Sequence, residues 1–423
     1  MKNLSMTTDK NIITGIDIGS ATITCSIVDL GDANNDARLL GIGTSPSTGI
    51  RKGCIIHRDK VSSELESAIT NAETMANVKI QNAWCSLTGD HIRGINTNGA
   101  TPIHKAPGSG IPQEQEIRKE DVQKALEMTK NITFPPDRNI LHVLPQEFII
   151  DTMTGIKDPV GMTGRRLEAR VHLVTTAISA MTNLVNCVEE LGITVHGLVF
   201  QGLASAIAIL DPDEMELGVA CVDIGAETTE VTVFFDSGVR HTGVIPIGAN
   251  SVTNDIAVML QVPKKIAEEI KLKYASAKAS MASPELDFEI PDNEKNMKRN
   301  VSEHELSRYV EARMVEILQL AAREIAKADI HEKLTYGLVL TGGGSELKNL
   351  AGLAEEVLKT RVRIGSPRGL RGISDVAAKP QYACALGLTQ WYQFNPESSH
   401  IQEGVLHPGY LFKKLGKWFK EFF

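Results

Sequence analysis

Two short segments half a chain apart are built alike, and no other feature limits the possible folds as much. "GIDIGSATITCSIVDL" is an apolar strand ending near Asp17, a glycine-containing turn and a second, alternating strand. "CVDIGAETTEVTVFF" repeats that plan around Asp223. Asp17 matches Asp223, Gly19 matches Gly225 and Thr22 matches Thr228, each pair separated by 206 residues. A lone D-I-G tripeptide carries little information. Two copies, each set between strand-like runs, predict a duplicated α/β domain.

The turn type has a chemistry. Successive backbone N–H groups directed into one concavity suit phosphate oxygens, and glycine lets the backbone come close. Ser20, Ala21 and Thr22 in the first turn, and Ala226 and Thr228 in the second, are small residues or hydroxyl donors. An Asp at each strand end can hold Mg²⁺ through water, because that ion keeps much of its hydration shell. The competing reading is a pair of ordinary hairpins whose Asp residues cap turns. Two later segments weigh against it. In "YGLVLTGGGSELKNL" a buried strand runs into Gly342, Gly343 and Gly344, with Ser345 placed to N-cap the next helix. In "KKIAEEIKLKYASA", Glu268 and Lys271 stand three apart on one helical face, either as a solvated ion pair or as a pair reaching a ribose.

The chain ends on "GYLFKKLGKWFKEFF". At helical spacing Leu411, Leu415, Trp418 and Phe422 form one stripe, flanked by Phe412, Phe419 and Phe423. Lys413, Lys417 and Lys420 occupy the other side with Glu421, and Lys414 lies at the border. The protein has a net charge of -8, yet this segment carries four Lys and one Glu. Burying each large apolar side chain is worth about 1.5–3 kcal/mol, and each Lys beside anionic lipid about 1 kcal/mol. The reading is an in-plane membrane anchor rather than a helix docked on its own domain. The acidic balance argues against general nucleic-acid binding. No run approaches the length of a membrane span, and "MKNLSMTTDK" lacks the apolar core of a secretion signal, so a cytoplasmic location is expected. The six scattered cysteines predict reduced, mostly buried thiols.

Taken together, these motifs resemble the actin/Hsp70/sugar-kinase ATPase superfamily and, within it, the bacterial FtsA cell-division family. "QGLASAIAIL", "GVRHTGVIPIGANSVTNDIA" and "VRIGSP" are similar to that family in order and spacing. The resemblance implies an actin-like, ribonuclease H-like two-lobe ATPase fold with ATP and Mg²⁺ in the cleft. It implies a first-lobe core (1A) at 1–87 and 168–200 with an inserted subdomain, 1C, at 88–167. The second-lobe core (2A) would take 201–247 and 324–392, with subdomain 2B at 248–323, a linker at 393–409 and the amphipathic helix at 410–423.

By the same resemblance, Asp17, Gly19 and Ser20 form the first phosphate loop and Asp223, Gly225 and Thr228 the second. Glu268 and Lys271 face the ribose, the three glycines frame the adenine, and Gln201 positions attacking water. Two departures stand out: Ala226 and Glu227 replace glycines of the second loop, and Thr22 stands where the family often has Lys. Glu227 is expected to point out of the cleft, and at most weak ATPase activity is expected. The implied role is a membrane-tethered polymer on the cytoplasmic face of the inner membrane at the septum. It would anchor the tubulin-like protein FtsZ and recruit later division proteins. Lys298, Arg299, Arg308 and Arg313 are candidate contacts for the FtsZ C-terminal peptide. A small-molecule kinase of the superfamily and a PilM-like pilus-assembly protein are the alternatives.

Overall fold

The structure is a computed structural model describing residues 11–31, 37–103, 115–292, 297–330, 333–372 and 377–394. The linker and the amphipathic tail, Leu411 to Phe423, therefore lie outside the described residues, apart from the start of the linker.

The two D-I-G segments each begin a five-stranded sheet of the same design. In the first, Ile12–Ile18 pairs antiparallel with Thr22–Asp29, which pairs antiparallel with Arg38–Pro46. On its other side Ile12–Ile18 runs parallel to Asn82–Leu87, which runs parallel to Thr194–Phe200. In the second, Val219–Ile224, Thr229–Phe235 and Gly238–Ile245 make the meander. Leu338–Thr341 and Val362–Ile364 complete it in parallel. Parallel strands need crossovers, so the material joining them forms the helices and insertions of each lobe. Both D-I-G strands end in near-continuous buried runs, as expected of strands covered on both faces.

Two helices close the space between the sheets. Gln201–Ile209 is buried almost all round and leads directly out of the last strand of the first sheet. Ala383–Phe394 packs across it. These helices and the first sheet share one apolar core, while the second sheet shares another with helices Asn250–Met259, Lys264–Tyr274 and Glu303–Ala326.

The insertion forms a four-stranded antiparallel sheet of Met153–Ile156, Arg138–Ile150, Arg166–Ala177 and Arg93–Pro102, backed by helix Lys119–Thr129. Arg166–Ala177 pairs along its length within this sheet, so the inserted unit runs about ten residues past the border at 167 expected from sequence. The insertion also touches the second lobe. Gln146 donates to the Val239 carbonyl at 2.7 Å and Asn96 to the Arg240 carbonyl at 3.0 Å. His172 joins Asn96 at 2.7 Å and Thr242 at 2.9 Å. Burial lowers the His172 pKa to about 3, so the ring is neutral. Its Nδ1–H donates to the Asn96 oxygen, and Nε2 accepts from the Thr242 hydroxyl. All six cysteines are free thiols, five of them buried.

Candidate functional site

Both D-I-G bends carry the same defining hydrogen bond. The Gly19 amide donates to the Thr22 carbonyl at 3.1 Å, and the Gly225 amide to the Thr228 carbonyl at 2.9 Å. The second bend is propped from behind: the Ala249 and Asn250 amides donate to the Gly225 and Ala226 carbonyls, at 2.9 and 2.7 Å. The first is propped by the Ser47 amide on the Ala21 carbonyl at 2.8 Å. With carbonyls tied back this way, bend amides and hydroxyls remain for the space in front. That space is one cavity of about 490 Å³ between the lobes, within the roughly 300–1,000 Å³ range of small-molecule sites. Asp17, Gly19, Ser20, Ala21 and Thr22 line one wall; Asp223, Gly225, Ala226 and Thr228 line another.

The two carboxylates are buried and held by hydroxyls from elsewhere in the chain. Ser86 donates to Asp17 Oδ1 at 2.8 Å and accepts the Ile18 amide at 2.8 Å. Ser205 donates to Asp223 Oδ2. Burial raises the pKa of Asp17, against the hydrogen bonds from Cys384 and Ser86. Burial also raises that of Asp223, and the negative charge of Asp17 adds to it. Beneath them Glu230 is fully buried, its Oε1 accepting from the Thr88 hydroxyl of the opposite lobe. Burial and then the Asp223 charge hold its pKa well above the ordinary carboxylate range.

Two buried acids, Asp17 and Asp223, facing one cavity favour a cation between them. Among the described residues no three His, Cys, Asp or Glu side chains are placed to cage a metal. Asp17 and Asp223 therefore suit a hydrated ion such as Mg²⁺ held through water. A polyanion needs such an ion here, because among the described residues Asp17, Asp223, Glu268 and Glu346 on the cavity wall face two basic side chains, Lys271 and Lys348.

The remaining predicted residues enclose the other end. Helix Lys264–Tyr274 carries the Glu268–Lys271 pair at 2.8 Å. The pair is not a solvated one: Lys271 is buried and reaches Thr253 Oγ1 at 3.0 Å, and Thr253 donates to Glu268. Gly342 has φ of 80°, and a Cβ there would fall 2.1 Å from Asp223 Oδ1, so only glycine lets this turn lie against the carboxylate. A Cβ on Gly343 would meet nothing nearer than 3.8 Å, leaving a flat, open floor on which a planar ring can lie. Gln201 also lines the cavity; its side chain bonds Asp223, while its buried Oε1 has no partner among the described residues. That free acceptor can orient a water.

Ser345 departs from expectation. It sits behind the cavity in a 3₁₀ turn, Gly343–Glu346, and its hydroxyl donates to the Gly342 carbonyl at 2.7 Å. The following helix, Leu350–Leu358, is preceded at its N-cap by Asn349 in a left-handed conformation, so Ser345 is not its cap. It stiffens the glycine turn instead.

Sequence reasoning missed Ser86, Ser205, Thr88, Glu230 and Cys384. Ser86, Thr88 and Cys384 belong to no motif, and Ser205 lies inside "QGLASAIAIL" without a signature of its partner. Glu230 was within reach, since "EVTV" alternates polar and apolar residues and the hairpin pairs Glu230 directly opposite Asp223. Glu227 does not line the cavity; its Oε2 accepts the Lys52 amide of the other lobe at 2.6 Å.

Of the candidate partner residues, Arg308 is exposed on helix Glu303–Ala326, and Lys298 lies on strand Met297–Ser302. Arg299 donates to the Leu260 carbonyl. Arg313 holds Asp255 in two bonds, at 2.6 and 2.9 Å, and also pairs with Glu316. Among the described residues no helix is long and apolar enough to cross a membrane.

Known proteins share this architecture. A solved PilM-PilN type IV pilus biogenesis complex superposes with a TM-score of 0.61 at 17% identity, covering 90% of this chain and 98% of the other. MreB5 of Spiroplasma citri bound to ADP gives 0.55 at 12% identity, covering 94% and 100%. These likenesses establish an actin-like fold. The family profile described as cell division protein FtsA matches residues 220–387, and that of the SHS2 domain inserted in FtsA matches 89–175. Over 415 residues the chain is 36% identical to cell division protein FtsA of Pseudomonas aeruginosa, covering 96% of this chain and 97% of that one. It is 34% identical to the Escherichia coli K12 protein of the same name, covering 98% and 99%. An actin-like body, this particular insertion and identity of that order over nearly the whole length place the chain in the cell division protein FtsA family.

Proposed function

We propose that this cell-division protein binds ATP with Mg²⁺ between its lobes and polymerises on the cytoplasmic face of the inner membrane. There it would anchor FtsZ filaments and recruit later septal proteins. The observation that carries the nucleotide reading is the convergence of both D-I-G bends on one cavity that also contains the Glu268–Lys271 pair and the open glycine turn.

Mg²⁺ would neutralise phosphate charge at Asp17 and Asp223. The bend amides and the hydroxyls of Ser20, Thr22 and Thr228 would take phosphate oxygens, and Glu268 and Lys271 the ribose. Gly342, Gly343 and Gly344 would leave room for the base. Gln201 would hold water near the terminal phosphate. Among the described residues the cavity wall brings no cation besides Lys271 and Lys348, and phosphoryl transfer depends on charge neutralisation, which fits slow hydrolysis at most.

The tail residues Leu411 to Phe423 supply the membrane contact in this reading, and Lys298 with the exposed Arg308 the FtsZ peptide contact. Arg313 contributes less, being already neutralised by Asp255 and Glu316. The test is electron microscopy of the purified chain on an anionic lipid monolayer with and without Mg²⁺ and ATP. Ordered filaments that require both lipid and nucleotide are expected; a bare monolayer under all conditions defeats the proposal. Removing 411–423 should abolish sedimentation with anionic liposomes. Charge reversal of Arg308 should weaken binding of the isolated FtsZ tail peptide.

A further inference from the structure

The narrow hairpin of Ile50–Arg51 and Cys54–Ile55 lies against Ser20, which lines the cavity. It turns through Lys52 and Gly53, both in the left-handed region with φ of 48° and 77°. The turn is seated on the first lobe: the Gly53 amide lies 3.4 Å from Ser20 Oγ, and a Cβ on Gly53 would come within 2.5 Å of the Thr88 carbonyl. Its other contact crosses the cleft, because the Lys52 amide donates to Glu227 Oε2 at 2.6 Å. One tight turn therefore touches both D-I-G bends, Ser20 on one and Glu227 on the other. Below it the Thr88 hydroxyl makes a second bond across the lobes, to Glu230.

We infer that Glu227 is a latch carboxylate that holds the lobes together over the phosphate end of the cavity, with Thr88–Glu230 as the inner bond of the same closure. The inference rests on the nucleotide reading above only for what the latch retains. The internal repeat supports it independently: Glu227 replaces Ala21 of the first bend, and Glu230 replaces Thr24, so both crossing acids belong to one copy. A carboxylate accepting a backbone amide makes a charge-assisted bond. It also explains how an acid can sit beside a phosphate-binding turn, since its oxygen is occupied by a donor from the other lobe. Lys52 contributes through its backbone, so replacing its side chain leaves the donor in place, and the acid is the member to change.

The test uses the full chain with Glu227→Ala and Glu227→Gln, read in two ways. Without nucleotide, hydrogen exchange of the segment containing Lys52 should quicken about 5- to 10-fold in Glu227→Ala, with Glu227→Gln between it and the parent. With Mg²⁺ and mant-ATP, release chased by unlabelled ATP should quicken by a similar factor in the same order. Unchanged exchange overturns the latch. Faster exchange with unchanged release also overturns it, reducing the bond to local support of the turn. If the parent chain fails to bind mant-ATP, the nucleotide reading falls, and exchange across the inner bond decides the latch: quickening at Thr88 and Glu230 together with Lys52 supports it, and quickening at Lys52 alone overturns it.

Discussion

The two D-I-G bends share a backbone and differ in their side chains. Both close on the same amide-to-carbonyl bond, and both end a strand on a buried Asp steadied by a serine hydroxyl. The serine comes from the neighbouring strand for Asp17 and from helix Gln201–Ile209 for Asp223. Where the first copy has Ala21 and Thr24, the second has Glu227 and Glu230. Duplication preserved what a polyphosphate needs, a nest of amides and a carboxylate. Divergence loaded one copy with acids that reach across the cleft. The third strands differ likewise. Arg38–Pro46 carries the helix Arg58–Ala76, while Gly238–Ile245 receives the inserted subdomain through Asn96, Gln146 and His172.

The comparison breaks most severely if the first copy is given the second copy's acid. Thr24 is buried, and among the described residues no hydroxyl of the opposite lobe bonds to it. Thr24→Glu should lower unfolding free energy by about 3–5 kcal/mol in denaturant titrations. A loss below about 1 kcal/mol would mean that the two sites are interchangeable and that Thr88 is not what makes Glu230 tolerable.

The serines come next. Ser86→Ala and Ser205→Ala should each weaken Mg²⁺–ATP binding by about tenfold in calorimetry, because each leaves a buried carboxylate short of a donor. Equal losses sharpen the equivalence of the two copies. A loss confined to one assigns the cation mainly to that side.

Glu230→Gln should have the smallest effect, and in the opposite direction. The unfolded chain releases this proton at the ordinary glutamate pKa, whereas burial keeps it on in the folded protein. Stability therefore falls as pH rises from the ordinary carboxylate range towards the raised value. The neutral amide keeps an acceptor for Thr88 and removes that dependence. The melting temperature should rise by about 3 °C at pH 8 and by less at pH 6. An equal shift at both pH values would show that the charge of Glu230 is not what burial penalises.

Much of this was legible because it was local. The repeat at a fixed spacing fixed the two bends, and the E-x-x-K spacing placed Glu268 and Lys271 on one helical face. The same reading expected Glu227 to point outward, because a carboxylate beside phosphate would be repelled. What was not legible depends on distant segments meeting. Ser86 reaches Asp17 from 69 residues away and Thr88 reaches Glu230 from 142, and a single Ser or Thr in a strand carries no signature of such a partner. Ser345 misled for a related reason. A serine between a glycine turn and an apolar stretch reads as a cap, but a 3₁₀ turn intervenes and its hydroxyl is spent on the Gly342 carbonyl. The insertion's end was placed early because Arg166–Ala177 is one long strand whose pairing partners lie upstream.

The central claim is that Asp17 and Asp223, from opposite lobes, act on one bound cation and one nucleotide. A double-mutant cycle of Asp17→Asn and Asp223→Asn on Mg²⁺–ATP affinity tests it directly. The account predicts that the double variant loses less than the two single losses combined, with a coupling of at least about 1 kcal/mol. Strictly additive losses, or an affinity indifferent to either substitution, would contradict it.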